Sequence, residues 1–215
     1  IRQNTKIDSG TIIEINSETD FVSRNSEFQK LLHDVLDISM KNIDNPEKTK
    51  DESSVLVSQA VGKIGENIVL KRLKTMTGNI YSYTHNAVSE NLGKIGVLLK
   101  LECPVKEINE IGKNISMHIA ASSPKSISID DLDEEIIKNE KDIIMEQLKD
   151  NGKPEAILEK MLEGKLNKFY EETTLLSQKF VMDPSISIQK YLDQSAEKIG
   201  EKISIKEFLR FEIGV

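Results

Sequence analysis

The chain has 215 residues, enough for one large domain or two small ones. Hydrophobic residues make up 38% and charged residues 30%, a balance typical of a folded globular chain and unlike that of a disordered one. No apolar stretch approaches the roughly 20 residues that span a bilayer, and a net charge of -7, with acids and bases interspersed as in Glu140-Lys141-Asp142, argues against a surface built to grip nucleic acid. The lone cysteine, Cys103, has no partner for an internal disulfide, which suits a reducing compartment. Ile1 to Gly10 shows no basic-then-apolar leader. These features point to a cytosolic or organelle-matrix protein.

Taken in chain order, Gly10 to Asn16 alternates Thr11, Ile13 and Ile15 against Ile12, Glu14 and Asn16, which predicts a strand. A polar bend follows from Ser17 to Asp20. Ser26-x-x-Gln29 offers a capping box for a helix carrying Phe28, Leu31, Leu32, Val35 and Leu36 on one face. Asn45-Pro46 opens a charged connection ending near Ser53, and a second helix carries Val55, Leu56, Gln59, Ala60 and Ile64, with Gly65 near its end. Ile68 to Met76, Asn79 to His85 and Lys94 to Glu102 are strand candidates separated by Thr77-Gly78 and Glu90-Asn91-Leu92-Gly93.

Pro104 suits the first turn of a helix whose Ile108, Ile111, Ile115 and Ile119 hold helical spacing up to Ser122-Ser123-Pro124. That break divides a subdomain of residues 1–122 from one of residues 123–215. Asp131-x-x-Glu134 caps a helix to Lys149, with Ile136, Ile137, Ile143, Ile144 and Leu148 on one side. Asn151-Gly152 stops it, and Pro154 opens another with Ile157, Leu158, Met161, Leu162, Leu166 and Phe169. So short a turn makes the pair an antiparallel helical hairpin, at about residues 131–170. A loop from Phe180 to Ser187, a short helix from Ile188 to Lys198 and a strand from Phe208 to Ile213 complete an α+β chain: two small antiparallel-sheet subdomains with packed helices and a protruding helical hairpin.

Catalytic patterns are weak. His33, His85 and His118 are widely spaced and lack a metal-ligand motif, and His33 and His118 read as ordinary helix histidines. Cys103 reads as a small core hydrophobe. No phosphate-binding G-x-x-x-x-G-K-[ST] loop occurs, so a relevant nucleotide is expected on another protein. No cofactor or metal is expected on the chain itself. Three segments stand out instead. Thr19-Asp20-Phe21-Val22 is either a turn folding Phe21 and Val22 into the core or an exposed acidic-aromatic tip. Lys63-Ile64-Gly65-Glu66-Asn67-Ile68 contains a helix stop. Gln178 to Ser185 places Phe180, Val181 and Met182 in a Pro-bounded loop, a setting that is usually polar.

Together these segments, in this order, resemble the elongation factor Ts family, the exchange factors for elongation factor Tu. The likeness continues through Ser82-Tyr83-Thr84-His85, Met117 to Pro124, Gly152-Lys153-Pro154 and Leu209 to Gly214, and so covers almost the whole chain. Family members begin with a small helical domain resembling ubiquitin-associated domains, whereas Arg2 to Ile15 already reads as the start of the core. The resemblance implies that Thr19, Asp20, Phe21 and Val22 push toward the GTPase site and displace its Mg²⁺, with Phe21 as the wedge and Asp20 as a polar contact. It implies further partner contacts at Ile64, Gly65 and His85, and at Val181 and Met182 against another domain of elongation factor Tu. It also implies a non-enzymatic exchange factor and a hairpin of the kind that in some members mediates homodimers. Direct nucleic-acid and membrane binding are not expected. The bacterial cytoplasm and the matrix of a mitochondrion or plastid both host this pathway. The rival readings are a docking module of the same fold without exchange activity, and an enzyme using Cys103 and His118.

Overall fold

The computed structural model describes residues 2–6, 8–105, 108–149 and 154–214. The chain divides into two compact units, one of Ile1–Ala120 with Glu201–Val215 and one of Ala121–Gly200. The fold is α+β, with small antiparallel sheets and packed helices.

In the first unit, β1 (Arg2–Lys6) pairs with β2 (Ser9–Asn16), extending the sheet one strand beyond the alternation read from sequence. A 3-10 helix (Asp20–Arg24) leads into α1 (Ser26–Lys41). The cap of α1 lies one residue earlier than the capping box predicts: Asn25 Oδ1 accepts from the Glu27 amide at 2.8 Å. Gln29 instead donates to the Ser23 carbonyl at 3.1 Å, tying the 3-10 helix to α1. The expected connection after Asn45 is helical. Asn45 Oδ1 accepts from the Lys48 amide at 3.0 Å, Pro46 takes the first turn, and α2 runs Pro46–Ile64.

Next come β3 (Val69–Thr77), β4 (Ile80–His85), β5 (Ile95–Glu102) and α3 (Asn109–Ser122). Pro104 lies ahead of α3 and outside its first turn. Gly112 of α3 lies against Tyr81: a Cβ there would sit 2.1 Å from Tyr81 Cγ, so the ring occupies the space a side chain would need.

In the second unit, α4 (Glu134–Lys149) and α5 (Glu155–Thr173) form the expected hairpin. Asp133, rather than Asp131, caps α4 by accepting from the Glu135 amide at 2.9 Å. The predicted stop at Asn151-Gly152 lies outside the described residues. Ile144, Leu148 and Leu166 form the hairpin core with Leu158, Met161, Leu162 and Tyr170, while Ile143, expected on that face, is exposed. Beyond α5, β6 (Lys179–Phe180) and β7 (Asp183–Ser187) make a tight hairpin ahead of α6 (Ile188–Ile199).

The sequence reading groups residues 123–215 as one subdomain, but the final strand does not stay there. β8 (Ser204–Glu212) pairs antiparallel with β5 and completes the sheet β4-β5-β8, alongside the sheet β1-β2-β3 in the first unit. Strand pairing across so long a stretch of chain leaves no local signature. One core cluster of this unit packs Ile13, Ile15, Val22, Phe28, Leu32, Val35 and Leu73; another packs Ile12, Met76, Leu98 and Phe211. Burial of this kind contributes about 25 cal/mol per Å² of apolar surface.

Arg72 on β3 links the two sheets. It pairs with the buried Glu14 carboxylate, donates to the Glu212 carbonyl at 3.0 Å, and holds its guanidinium 4.4 Å from the Phe211 ring centre. Among the described residues no helix is long and apolar enough to cross a membrane, and no group of three or more His, Cys, Asp or Glu could hold a metal ion.

Candidate functional site

The link from β2 to α1 is where the Thr19 to Val22 segment takes shape. Serines and an asparagine satisfy its backbone locally. Ser17 Oγ donates to the Thr19 carbonyl at 3.1 Å, Ser23 Oγ to the Asp20 carbonyl at 2.7 Å, and the Asn25 amide to the Val22 carbonyl at 2.9 Å. A 3-10 helix has three residues per turn, so neighbouring side chains point about 120° apart. Val22 is only 5% exposed and packs with Phe28 and Leu32, which turns Phe21 to the outside at 86% exposure. Of the two sequence readings, the exposed tip holds for Phe21 and the core reading holds for Val22. Val22 therefore anchors the segment and offers no surface of its own.

The second predicted segment meets the first. Gly65 closes α2 in the left-handed conformation at φ 78°, where its amide donates to the Val61 carbonyl at 2.9 Å. Ile64 is half-buried against the unit's own core, and Ile68 is buried in it. Between them Glu66 accepts from Thr19 twice, at 3.0 Å from the amide and 2.6 Å from the hydroxyl. A second strut joins the same two regions, with Lys63 Nζ 2.9 Å from Glu27 Oε2. The hydrogen bond from Lys63, and then its positive charge, hold the Glu27 carboxyl below its usual pKa of 4.5.

Asp20 is almost fully exposed, and its carboxylate lies 3.7 Å from Lys94 Nζ. The Lys94 amide in turn donates to the His85 carbonyl at 3.2 Å. His85 is exposed at the end of β4, its Nδ1 3.3 Å from the Tyr83 hydroxyl. A cleft of about 440 Å³ opens between the tip and the β4–β5 loop, with Thr19, Asp20, Val88, Lys94 and Ile213 among its lining. Thr19, Asp20, Phe21, Ile64, Gly65 and His85 thus all belong to one unit.

Val181 and Met182 belong to the other unit, as the two turn residues between β6 and β7, and are 41% and 56% exposed. Their neighbour Phe180 is buried and stacks on Tyr191 with ring centres 4.4 Å apart. Asp183 Oδ1 accepts from both the hydroxyl and the amide of Ser185, at 2.6 and 3.1 Å, which stiffens the far side of the turn.

His118 is fully buried on α3, while His33 on α1 is exposed. Sequence reasoning missed the roles of Glu66 and Lys94.

Comparison with known proteins places the chain in a family. The family model for Elongation factor TS matches residues 18–215. The chain is 42% identical over 202 residues to elongation factor Ts of Paracoccus denitrificans, an alignment covering 91% of this chain and 67% of that protein. It is 38% identical to the Rickettsia akari protein of the same name over 217 residues, covering 95% and 70% of the two chains. To that of Bartonella bacilliformis it is 39% identical over 222 residues, covering 96% and 71%. With 198 of its positions inside the family match, the chain belongs to the elongation factor Ts family of translation elongation factors.

Proposed function

We propose that this chain binds elongation factor Tu in its GDP form, displaces the bound Mg²⁺ and releases GDP so that GTP can enter. The observation that carries the reading is the pairing of an exposed Phe21 with a buried Val22: an apolar wedge on a fixed base. Mg²⁺ demands near-ideal octahedral geometry, so a small shift of its ligands in the partner weakens it sharply. Burying Phe21 in the partner could supply roughly 1.5–3 kcal/mol. At about 1.4 kcal/mol per tenfold, that is roughly one to two decades of nucleotide affinity. Larger effects draw on the other contacts. Ile64 and Gly65 lie against the same nucleotide domain and His85 adds a polar edge, while Val181 and Met182 seat in another domain. Methionine suits such a pocket because its side chain adapts to irregular surfaces.

The action is thermodynamic coupling. A factor that binds the nucleotide-free GTPase better than the GDP form is, reciprocally, weakened by nucleotide. No covalent bond is made or broken, so the chain acts as an exchange factor and not as an enzyme. We place it in the bacterial cytoplasm, since the relatives named above are bacterial. The exposed Ile143, Met145 and Ile157 on the α4–α5 hairpin favour a homodimer through that surface. Sedimentation of Met145→Glu beside the parent chain tests it, and equal masses count against it.

The deciding experiment follows fluorescent GDP leaving elongation factor Tu with and without this chain. Acceleration by the parent chain and its loss in Phe21→Ala are expected. A chain that binds without accelerating release would be a docking module of the same fold.

A further inference from the structure

We infer that Glu66 is the positioning residue of the exchange tip: its carboxylate clamps Thr19 at two points and so fixes the direction in which Phe21 projects. The inference rests on the exchange-factor reading and adds to it a residue that acts from within the chain.

Both donors of Thr19 converge on one side chain that lies 47 residues away in sequence. Thr19 stands at the N-cap of the 3-10 helix, a place where a threonine hydroxyl ordinarily turns to its own backbone, yet it makes no capping bond. The hydroxyl goes to Glu66 instead. The Ser17, Ser23 and Asn25 hydrogen bonds around the tip are local, and Gln29 of α1 holds the Ser23 carbonyl at the tip's far end. Val22 fixes the tip from one side of Phe21 by burial, and Glu66 fixes it from the other by charge-assisted hydrogen bonds. Glu66 can serve as a fixed point because its own neighbours are held. Gly65 sets the reversal before it, and Ile64 and Ile68 pack into the core on either side.

A free 3-10 segment carrying one exposed aromatic residue would sample many directions, and ordering it on docking would lower the net affinity. The clamp sets that order during folding. Ile64 and Gly65 therefore matter beyond any direct contact, since they put Glu66 where Thr19 needs it.

The test uses the full chain and two readouts. One is the rate of GDP release from elongation factor Tu over a series of chain concentrations. The other is the fluorescence anisotropy of Phe21→Trp in the free chain, which reports tip mobility without any partner. Glu66→Ala is expected to lower the saturating release rate roughly fivefold, about 1 kcal/mol, with the melting temperature unchanged. It should also lower the anisotropy of the indole. Thr19→Val should give a smaller loss, since the amide bond survives, and no further loss when combined with Glu66→Ala. Thr19→Ser, which keeps the hydroxyl, should keep the parental anisotropy in the Phe21→Trp background.

Unchanged anisotropy in Glu66→Ala overturns the inference, whether or not release slows; slower release alone would make Glu66 a direct partner contact. Strict additivity of the two substitutions also overturns it. If the parent chain fails to accelerate release, the exchange reading falls, and the clamp stands or falls on anisotropy by itself.

Discussion

Phe21 and Val22 are adjacent in sequence, yet one is 86% exposed and the other 5%. Truncating each should therefore separate function from stability. Phe21→Ala is expected to melt within a degree or two of the parent while slowing GDP release about tenfold or more. Val22→Ala should cost roughly 1–3 kcal/mol in urea unfolding, because it opens space among Phe28 and Leu32. The reverse pattern would mean that Phe21 belongs to the core.

Tyr81 and Gly112 test packing far from the tip. A methyl group at Gly112 would fall 2.1 Å from Tyr81 Cγ, well inside contact distance. Gly112→Ala should destabilise the chain by about 1–3 kcal/mol or more, despite the better helix propensity of alanine. Tyr81→Leu should recover part of the loss in the double variant. A neutral or stabilising Gly112→Ala would show that α3 can shift freely against β4.

Arg72 is the only described cation paired directly to the fully buried end of Glu14 by a hydrogen bond, with Lys71 Nζ 3.6 Å from the other oxygen. Arg72→Met leaves that carboxylate short of its partner and should cost about 3–5 kcal/mol. Glu14→Leu in the same chain should return most of it, since two apolar residues replace a buried pair. Equal stability of Arg72→Met and parent in chemical unfolding would refute the assignment.

Asp183 carries a pH prediction. The Ser185 hydroxyl, then the Ser185 amide, hold its carboxyl below the ordinary 3.8. A depressed folded value contributes stability above the unfolded pKa, and that contribution is lost as pH falls through the folded one. An NMR titration of the carboxyl carbon should give a midpoint below 3.8, moving back toward it in Ser185→Ala. A midpoint that ignores Ser185→Ala would remove the assigned cause.

Much of this fold was legible because burial repeats locally. Ile13 and Ile15 on β2, or Leu31, Leu32, Val35 and Leu36 on α1, announce their elements by spacing alone. The first half of α2 did not, and the reason is physical. Its buried positions are Thr49 and Ser53, so the inward face is written in hydroxyls and the charged run around them looks like a loop. Caps moved by a residue where two good capping residues stood together, as with Asn25 beside Ser26. At the site, the composition of the turn could not decide whether Phe21 faced in or out; the three-residue period of the 3-10 helix, set by Val22, decides it. The Glu66 clamp joins residues 47 apart, beyond the reach of any local pattern.

The return of β8 to β5 also bears on how the protein is made. Glu102 and Ser204 are partners 102 positions apart, so β5 emerges from the ribosome long before its second neighbour exists. At about 5–20 residues per second, that delay is on the order of 5–20 s. Through it, Val97, Leu98 and Leu99 border a half-finished sheet with one flank open, the kind of apolar edge that recruits stray strands. The nascent chain is thus most prone to aggregate while the intervening unit is being translated, and a shielding chaperone would matter most in that interval.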